Sequence, residues 1–456
     1  MLAEIAAAVR DKRVSAVELV AEALGRIEAA NPAINAVVAL RAEEAMAEAA
    51  DHPGTGALAG VPFLVKDLED VSGMVTTYGS LLHAEDAPKT EDTSVVRRLR
   101  AAGAIPIGKT NTPEFAYTAV TANRIFGVTR NPWNTDKSPA GSSGGSAAAY
   151  SAGMAPLCTS SDGGGSTRLP ASQTGLVGLK PTFCAYGRAR PPAWPTFSAN
   201  GSLGASVADV VLEATVSAGP EPGDPYSLAQ TPSFEPVRPT RVVACADVKG
   251  NVDDEVAAAF EDTLAFLSGE AGLPVDHVDT IWDDDLGLQW FLIAAAEIAH
   301  RTRWGVEAGR DDEFEAGFNM IRTAGTYVEM DAYLAAQEAR FAAARRVDEL
   351  VAEPGTVLVM PTTNAACWPA EGPLPMQING VDVSPTAVMN TMELNFTMHP
   401  AVAVPMGIGS AGVPLSLQAV APNGADGLTL GLAAVLEQGR PWALTAPGYD
   451  PFPTEF

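Results

Sequence analysis

Apolar and polar positions in the first 50 residues follow a helical spacing. Ser15 and Glu18 form a predicted capping box, because each side chain can bond the backbone N–H of the other at the start of a helix. Leucine and valine positions then recur on one face of the predicted helix. Asn31 and Pro32 are expected to end this element, since proline is poorly tolerated in a helix interior.

Apolar runs and helical segments alternate along the rest of the chain. Residues 61–68 form a mostly apolar run that predicts a buried strand. Residues 93–102 predict a helix that leads into a strand around Ile105, and residues 146–153 predict a further helix. Because the two signals alternate throughout, the sequence predicts an α/β fold.

The second half of the chain opens with a change of composition. Residues 218–240 are rich in proline and predict an irregular connector before a strand at 242–246. Residues 252–351 are strongly acidic and largely helical in pattern. A strand at 357–361 and a final helix at 428–438 complete the prediction.

Two glycine turns that carry serines are the most informative local motifs. The first, 141–145, contains Ser142 and Ser143, and the second, 162–166, ends in Ser166. A serine hydroxyl attacks an amide carbonyl only if a base takes its proton and hydrogen-bond donors stabilise the oxyanion that forms. The two turns are therefore candidates for a nucleophilic site.

Both requirements have candidates in the chain. Gly163, Gly164 and Gly165 precede Ser166 and supply successive backbone N–H groups without obstructing side chains. Lys66 follows an apolar run, which is the setting that lowers a lysine pKa. A neutral amine at neutral pH requires the pKa to fall by roughly 3 to 4 units, or about 4 to 5 kcal/mol.

The first turn also matches the nucleophile elbow G-x-S-x-G, with Ser143 at its centre. That mechanism requires a histidine late in the chain, and the downstream histidines are His277, His300 and His399. His399 lies in a predicted loop before a strand, so a structural role is favoured and the elbow is rejected.

Residues 103–110 match the P-loop pattern G-x-x-x-x-G-K-[ST]. Their interior is apolar, and Pro106 has no N–H to donate to a phosphate. The segment is interpreted as a short strand, and nucleotide binding is rejected.

Taken singly, each serine turn is typical of solvated loops, and a lone lysine after an apolar run is typical of a surface charge. Together, and in this order, the segments 60–67, 141–145 and 162–166 with the stretch up to Thr182 resemble the amidase signature family of serine hydrolases. The resemblance implies amide hydrolysis without a metal or other cofactor. Aryl, alkyl or cyclic amides are the substrate classes that it suggests.

The resemblance also implies roles for individual residues. Ser166 matches the nucleophile, Ser142 a bridging serine that follows a cis peptide bond, and Lys66 the terminal base. Gly163 to Ser166 match the oxyanion hole. The positions that match supporting residues are Ser143, Ser161, Asp162 and Arg168.

The implied architecture is a single large domain, 1–456, with a mixed twisted β-sheet sandwiched by α-helices. Residues 60–217 and 355–445 are expected to form its core. Residues 220–350 match the part that varies among family members and commonly shapes a substrate funnel or subunit contacts. A solvated helical cover over the sheet is an equally good interpretation of that region.

A substrate pocket is expected along the segment that follows Lys109. The candidate lining residues are Tyr78, Phe115, Tyr117, Thr118 and Leu169. These side chains offer apolar area and a few hydroxyls, so an uncharged, largely apolar acyl group is predicted. Ordinary core aromatics are the competing interpretation of Phe115 and Tyr117.

The composition of the chain limits the kinds of partner that it is expected to bind. The 456 residues contain 29 Lys and Arg against 55 Asp and Glu, a net charge of −26, which disfavours nucleic acid and anionic membranes as partners. Four widely spaced cysteines indicate a reducing compartment and no structural zinc site. With no evident secretion signal or apolar span, a cytoplasmic protein acting on a small amide is expected, and a homodimer is left open.

Two other functions stay open. The first is the amidase subunit of a tRNA-dependent amidotransferase, whose members usually carry glutamine where Leu169 stands and Met-Asp-Glu-Phe where 112–115 reads Thr-Pro-Glu-Phe. The second is a noncatalytic binding scaffold, which the intact serine and lysine set disfavours.

Overall fold

The computed structural model describes residues 1–282 and 286–456. Its α-helices are α1 (Leu2–Arg10), α2 (Ala16–Ile34), α3 (Ala42–Ala50), α4 (Ser94–Ala101), α5 (Gly144–Ser151), α6 (Arg168–Thr174), α7 (Val207–Ser217), α8 (Asp254–Gly269), α9 (Gly287–Glu307), α10 (Ala316–Gly325), α11 (Met330–Leu350), α12 (Met392–Phe396) and α13 (Asp426–Gly439). Its strands are β1 (Val37–Leu40), β2 (Pro62–Lys66), β3 (Ile105–Thr110), β4 (Ala122–Asn123), β5 (Gly127–Val128), β6 (Leu157–Cys158), β7 (Ser160–Asp162), β8 (Val177–Lys180), β9 (Ala199–Gly204), β10 (Arg241–Ala244), β11 (Val275–His277), β12 (Thr356–Pro361), β13 (Gln377–Ile378), β14 (Val381–Asp382), β15 (Ala401–Ile408) and β16 (Pro414–Val420). The predicted α/β class is confirmed.

The capping box at the start of α2 is confirmed. Ser15 Oγ accepts a hydrogen bond from the Glu18 N–H at 3.2 Å, and the Glu18 carboxylate accepts one from the Ser15 N–H at 2.8 Å. The predicted end at Pro32 is wrong, because α2 continues to Ile34. Proline this close to a helix terminus removes one backbone hydrogen bond, and Asn35 then ends the helix in the left-handed conformation at φ 55°.

The larger sheet has eight strands in the order β11, β10, β12, β16, β15, β8, β9 and β7. β10 pairs in parallel with β11 and β12, and the remaining pairs are antiparallel. β15 and β16 form its central hairpin. Strands β8, β12 and β16 are buried throughout, because helices cover both faces of the sheet.

The smaller sheet has the order β1, β3, β2 and β6, and β2 pairs in parallel with both neighbours. β3 contains the rejected P-loop match, and Pro106 is buried in a strand there, so the strand interpretation is confirmed. β6 and β7 are separated only by Thr159, so one segment of chain joins the two sheets. The two serine turns lie at this junction, one before α5 and the other after β7.

Helices α5 and α6 connect and support the two serine turns. All eight residues of α5 and all seven of α6 are buried. Small residues dominate α5 because the helix is enclosed on every side and large side chains would not fit. The backbone around the serine turns is consequently held by packing rather than exposed to solvent.

The predicted acidic helical region is confirmed as mostly helical, with α8, α9, α10 and α11 in it. Residues 283–285 of that prediction lie outside the described residues. α9 packs against α10, α11 and α12 and lies next to the second serine turn, where Trp290 Nε1 donates to the Gly163 carbonyl at 3.2 Å. Within the described parts of the chain, no helix combines the length and apolar character that crossing a membrane requires.

Candidate active site

Lys66 ends β2, the strand that β3 and β6 flank in the smaller sheet. Its side chain has no exposed surface. The amine Nζ lies 2.7 Å from Ser142 Oγ and 2.8 Å from Ser143 Oγ. Ser161 Oγ is a third neighbour at 3.1 Å. Three serine hydroxyls therefore lie within hydrogen-bond distance of the amine.

The electrostatic setting of this amine is unusual for lysine. Burial lowers the pKa of Lys66 from its ordinary 10.5 to about 7, although the carboxylates of Asp162 and Glu69 oppose the shift. A neutral amine is therefore accessible near neutral pH. A neutral amine has a lone pair, so it can accept a proton from a hydroxyl within hydrogen-bond distance.

The first serine turn is shaped by close packing of its glycines. The peptide bond between Gly141 and Ser142 is cis, as the resemblance implies. A Cβ atom on Gly145 would lie 2.5 Å from the backbone nitrogen of Asn111, so only glycine fits there without moving the neighbouring chain. The Ser143 N–H donates to the Ser166 carbonyl at 3.1 Å, which ties the first turn to the second.

The second serine turn is built around a buried carboxylate. Asp162 accepts hydrogen bonds from the Gly165 N–H at 2.7 Å and the Thr167 N–H at 3.2 Å. Arg168 donates to the same carboxylate through Nε at 3.0 Å and Nη2 at 2.9 Å. Burial alone would raise the pKa of Asp162, but the Arg168 guanidinium holds it well below its ordinary value. The charged pair fixes the loop that presents Ser166.

Three further residues, which the sequence analysis did not single out, form hydrogen bonds with the Asp162–Arg168 pair or its neighbours. Arg168 also donates to Gln418 Oε1 at 3.0 Å, the Thr391 carbonyl at 2.9 Å and Asn395 Oδ1 at 2.6 Å. Asn395 Nδ2 in turn donates to Asp162 Oδ1 at 2.9 Å. Asn395 lies within residues 355–445, which the family resemblance implies to be part of the core, but no local signal in the sequence indicates its partner.

The backbone donors of the second turn divide into two groups. The Gly165 N–H is committed to Asp162, so it is removed from the four predicted oxyanion donors. The N–H groups of Gly163, Gly164 and Ser166 have no hydrogen-bond acceptor within residues 1–282 and 286–456. Gly165 has a φ of 123°, a conformation that glycine adopts readily and that turns the neighbouring amides. Three amides therefore remain as donors for an oxyanion.

Ser166 and Ser142 share the wall of one cavity of about 550 Å³. Within the described residues, no hydrogen bond joins the Ser166 hydroxyl to the Ser142 hydroxyl, directly or through another side chain. Lys66 lies behind Ser142 and does not reach the cavity surface. The amine therefore lies behind Ser142, and both Ser142 and the half-buried Ser166 contribute to the cavity wall.

Aromatic side chains form much of the opposite cavity wall. Phe115 lies between Tyr78 and Phe318, with ring centroids at 6.2 Å and 4.9 Å. His83 and Trp304 continue the cluster at 5.3 Å from each other. Trp194 lines the part next to Gly163. The predicted apolar pocket therefore has a physical counterpart at Tyr78 and Phe115.

The other predicted lining residues lie outside the cavity wall as the described residues define it. Tyr117 packs behind it, 5.4 Å from the Phe318 ring. Thr118 contributes backbone contacts beside Gly141 instead. Leu169 is only 2% exposed, because α6 is enclosed and turns that side chain into a core cluster. The local sequence does not indicate which side chains of these segments face the cavity and which face the core.

The cavity also has charged residues that the sequence analysis did not anticipate. Glu69 lines it and accepts a hydrogen bond from Asn200 Nδ2 at 2.7 Å, and burial raises the pKa of its carboxyl. Asp70 pairs with Arg190 at 3.2 Å near the mouth. His399, the histidine relevant to the rejected elbow, is buried 3.1 Å from Asp348 and outside this wall. Within the described residues, no cluster of three or more His, Cys, Asp or Glu has a metal-binding arrangement.

Comparison with known proteins identifies relatives that cover nearly the whole chain. Residues 18–430 match the family described as Amidase. An acylamidase of Rhodococcus erythropolis is 33% identical over 483 aligned positions, which cover 96% of this chain and 95% of that protein. A glutamyl-tRNA(Gln) amidotransferase subunit from Mycobacterium bovis is 33% identical over 497 positions, covering 97% of this chain and 98% of the relative.

The fold has a close counterpart among solved structures. A bacterial aryl acylamidase of the amidase signature family superposes with a TM-score of 0.88 at 26% identity, covering 96% of each chain. The chain belongs to the amidase family. It is a hydrolase of carbon–nitrogen amide bonds on an α/β amidase signature fold, as the sequence predicted.

Proposed function

We propose that this enzyme cleaves its substrate through an acyl-enzyme formed on Ser166, with Lys66 as base and Ser142 as the relay between them. The observation that carries the proposal is the 2.7 Å distance from Lys66 Nζ to Ser142 Oγ in a fully buried setting. The lowered pKa of Lys66, about 7, supports a neutral amine under working conditions.

In the acylation step, Ser166 Oγ attacks the carbonyl carbon and gives its proton to Ser142 Oγ. Ser142 gives its own proton to the Lys66 amine. The oxyanion accepts hydrogen bonds from the free backbone amides around Ser166, which strengthen as negative charge develops. The carbon–nitrogen bond then breaks as the relay returns a proton to the leaving nitrogen.

Deacylation follows the same path in the reverse sense. Water attacks the ester on Ser166, the relay takes a proton from it, and the carboxylic acid leaves while the Ser166 hydroxyl is restored. Ser143 and Ser161 orient the Lys66 amine, and Asp162 with Arg168 holds the loop. No resident metal or cofactor takes part in these steps.

The acyl group of the substrate is uncharged and largely apolar. Phe115, Phe318 and Trp304 offer flat apolar area in the cavity, which suits aryl and alkyl groups. The Asp70 carboxylate is compensated by Arg190. An aromatic wall of this kind favours aryl amides over small polar amides such as glutamine.

A second candidate function is that of an amidotransferase subunit, which the Mycobacterium bovis relative favours. That role delivers ammonia to a partner protein. Leu169 and the segment 112–115 depart from the pattern expected of such subunits, and Leu169 is enclosed in the core. These features place the free amidase first.

The test is to treat the purified protein with a fluorophosphonate and to locate the label by peptide mass spectrometry. We expect labelling of Ser166, together with turnover of phenyl or alkyl amides by the protein alone. Glutamine as the best substrate and a stoichiometric partner in a pull-down would select the amidotransferase instead. Absence of both labelling and turnover would select a binding scaffold.

The compartment that fits best is the cytoplasm. The four cysteines Cys158, Cys184, Cys245 and Cys367 are all free thiols. A reducing environment keeps thiols in this state. Fractionation of cells expressing the protein would test this proposal, which an extracellular location would contradict.

A further inference from the structure

Large apolar side chains are exposed together on α10, α11 and the turn between them. Tyr327 and Phe341 are each 78% exposed, and Met320 is 70% exposed. Met330 and Leu334 add to the same surface at 67% and 49%. Single exposed apolar residues are ordinary, but several large ones that recur along one helix face are typical of an interaction surface.

The positions on α11 form a straight stripe. At about 100° per residue, Met330, Leu334 and Phe341 lie within about 40° of one another around the helix axis. The buried residues Ala336 and Arg340, which contact the rest of the protein, lie about 100° to 140° around the helix axis from the stripe. The exposed stripe is therefore additional to the face that α11 uses for folding.

Charged residues of opposite sign stand at the two ends of the stripe. Glu329 and Asp331 are exposed at the N-terminal end, and Arg345 is exposed at the C-terminal end. Across the two described ranges of the chain, none of these three side chains has an ion-pair partner within 4 Å. An antiparallel helix with the same sequence would bring each Arg345 next to the acidic end of the other.

We propose that the stripe is the interface of a homodimer in which α11 packs antiparallel against α11 of a second copy. A two-fold axis between positions 337 and 338 sets Leu334 of each copy against Phe341 of the other, so the symmetry gives two such contacts. The same axis passes next to position 338 and sets Arg345 near Asp331. The contact is independent of the proposed catalytic residues.

The length of α11 determines how much of a dimer interface this helix could supply. α11 has 21 residues, and a helix of that length is about 31 Å long. The area of one helix face is smaller than the roughly 800 Å² per partner that a standard interface buries. A complete interface therefore needs further surface, and Met320 on α10 and Tyr327 before α11 are exposed apolar side chains close to α11 in the chain. The net charge of −26 and the acidic residues beside the stripe disfavour an anionic membrane as the occupant.

Sedimentation velocity over a range of concentrations tests the proposal. We expect the wild-type protein to dimerise, and Leu334→Glu and Phe341→Glu each to raise the dimer dissociation constant at least about a hundredfold. Ile408→Glu is the matched control, because Ile408 is 56% exposed on β15 and outside the stripe. A monomeric wild type, or a dimer unaffected by the stripe substitutions, would overturn the proposal.

A charge exchange tests the antiparallel direction. Arg345→Glu is expected to raise the dissociation constant roughly tenfold, since two pairs are lost by symmetry. The double variant Asp331→Arg with Arg345→Glu is expected to recover most of that loss. Failure of the second change to restore dimerisation would contradict this packing.

A crosslink keeps the test independent of the folding of the apolar variants. Glu338→Cys places a thiol next to the proposed axis, so oxidation is expected to give a covalent dimer. Glu353→Cys, exposed beyond the end of α11, is expected to stay monomeric under the same conditions. Absence of a crosslink in Glu338→Cys would overturn the proposal. So would binding of the monomer to phosphatidylcholine vesicles that Phe341→Glu abolishes, which would assign the stripe to a membrane.

Discussion

Lys66 Nζ lies 2.7 Å from Ser142 Oγ, and the lysine has no surface exposed to solvent. The relationship joins a strand end in the smaller sheet to a glycine turn before α5. Burial supplies the low pKa, and the short distance supplies the path for a proton. The proposed chemistry depends on both, since either alone would leave Ser166 as an ordinary hydroxyl.

Removing any of the three proposed catalytic groups should disable the enzyme. Ser166→Ala is expected to abolish turnover, and Lys66→Ala or Ser142→Ala to lower kcat by about 10³ or more, because the groups act as a unit. Rates with a phenyl amide, and circular dichroism to check folding, measure the effect. Ser143→Ala is the neighbouring control and should lose less. A fluorophosphonate label on Ser143 would restore the nucleophile-elbow interpretation.

The rate should fall on the acid side as Lys66 becomes protonated. Since burial lowers the pKa of Lys66 to about 7, kcat/KM is expected to decline below that pH and to level off above it. A profile of kcat/KM against pH gives the apparent pKa. Ser161→Ala should shift this midpoint, because Ser161 Oγ lies 3.1 Å from the amine. A profile that stays flat to pH 5 would contradict lysine as the base.

The same pKa shift has a consequence for stability. Between pH 7 and 10.5 the unfolded chain holds a proton on Lys66 that the folded protein has released. The contribution of Lys66 to the free energy of unfolding therefore rises with pH in this window. Urea denaturation of the wild type and of Lys66→Met at pH 7 and pH 9.5 measures it. An equal difference between the two proteins at both pH values would refute the shift.

Arg168 should matter for stability as well as for activity. Arg168→Met leaves the Asp162 carboxylate buried without its countercharge, which is expected to cost about 3 to 5 kcal/mol. Arg303→Met removes a solvent-exposed pair with Glu307 and should cost no more than about 1 kcal/mol. Chemical denaturation of both variants compares them. Similar losses would show that the buried pair does not brace the loop.

The aromatic wall should determine preference for the acyl group. Phe115→Ala is expected to lower kcat/KM for a phenyl amide about 10-fold to 100-fold more than for acetamide, because it removes apolar contact area. Tyr117→Ala is the control, since Tyr117 lies behind the wall and should change the two substrates equally. Faster hydrolysis of glutamine or malonamate than of phenyl amides would refute the apolar pocket.

Much of the fold and the core of the candidate site could be predicted from the sequence. The strand that contains Lys66, the turns at Ser142 and Ser166, and the α/β class rest on local patterns of apolar residues and glycine. Backbone requirements of this kind are visible over a few residues. The end of α2 was misjudged for a related reason, because the cost of Pro32 depends on how close the helix is to its terminus.

The tertiary structure alone decided which distant groups complete the site. Asn395 bonds Asp162 across 233 residues, and Arg168 reaches Gln418 across 250. It also decided that Gly165 gives its N–H to Asp162 and that Leu169 lies in the core. Sequence patterns specify which face of an element is apolar, but they do not specify which other element covers it. Partner choice follows from the packing of whole sheets and helices, and so do the cavity wall and the exposed stripe on α11.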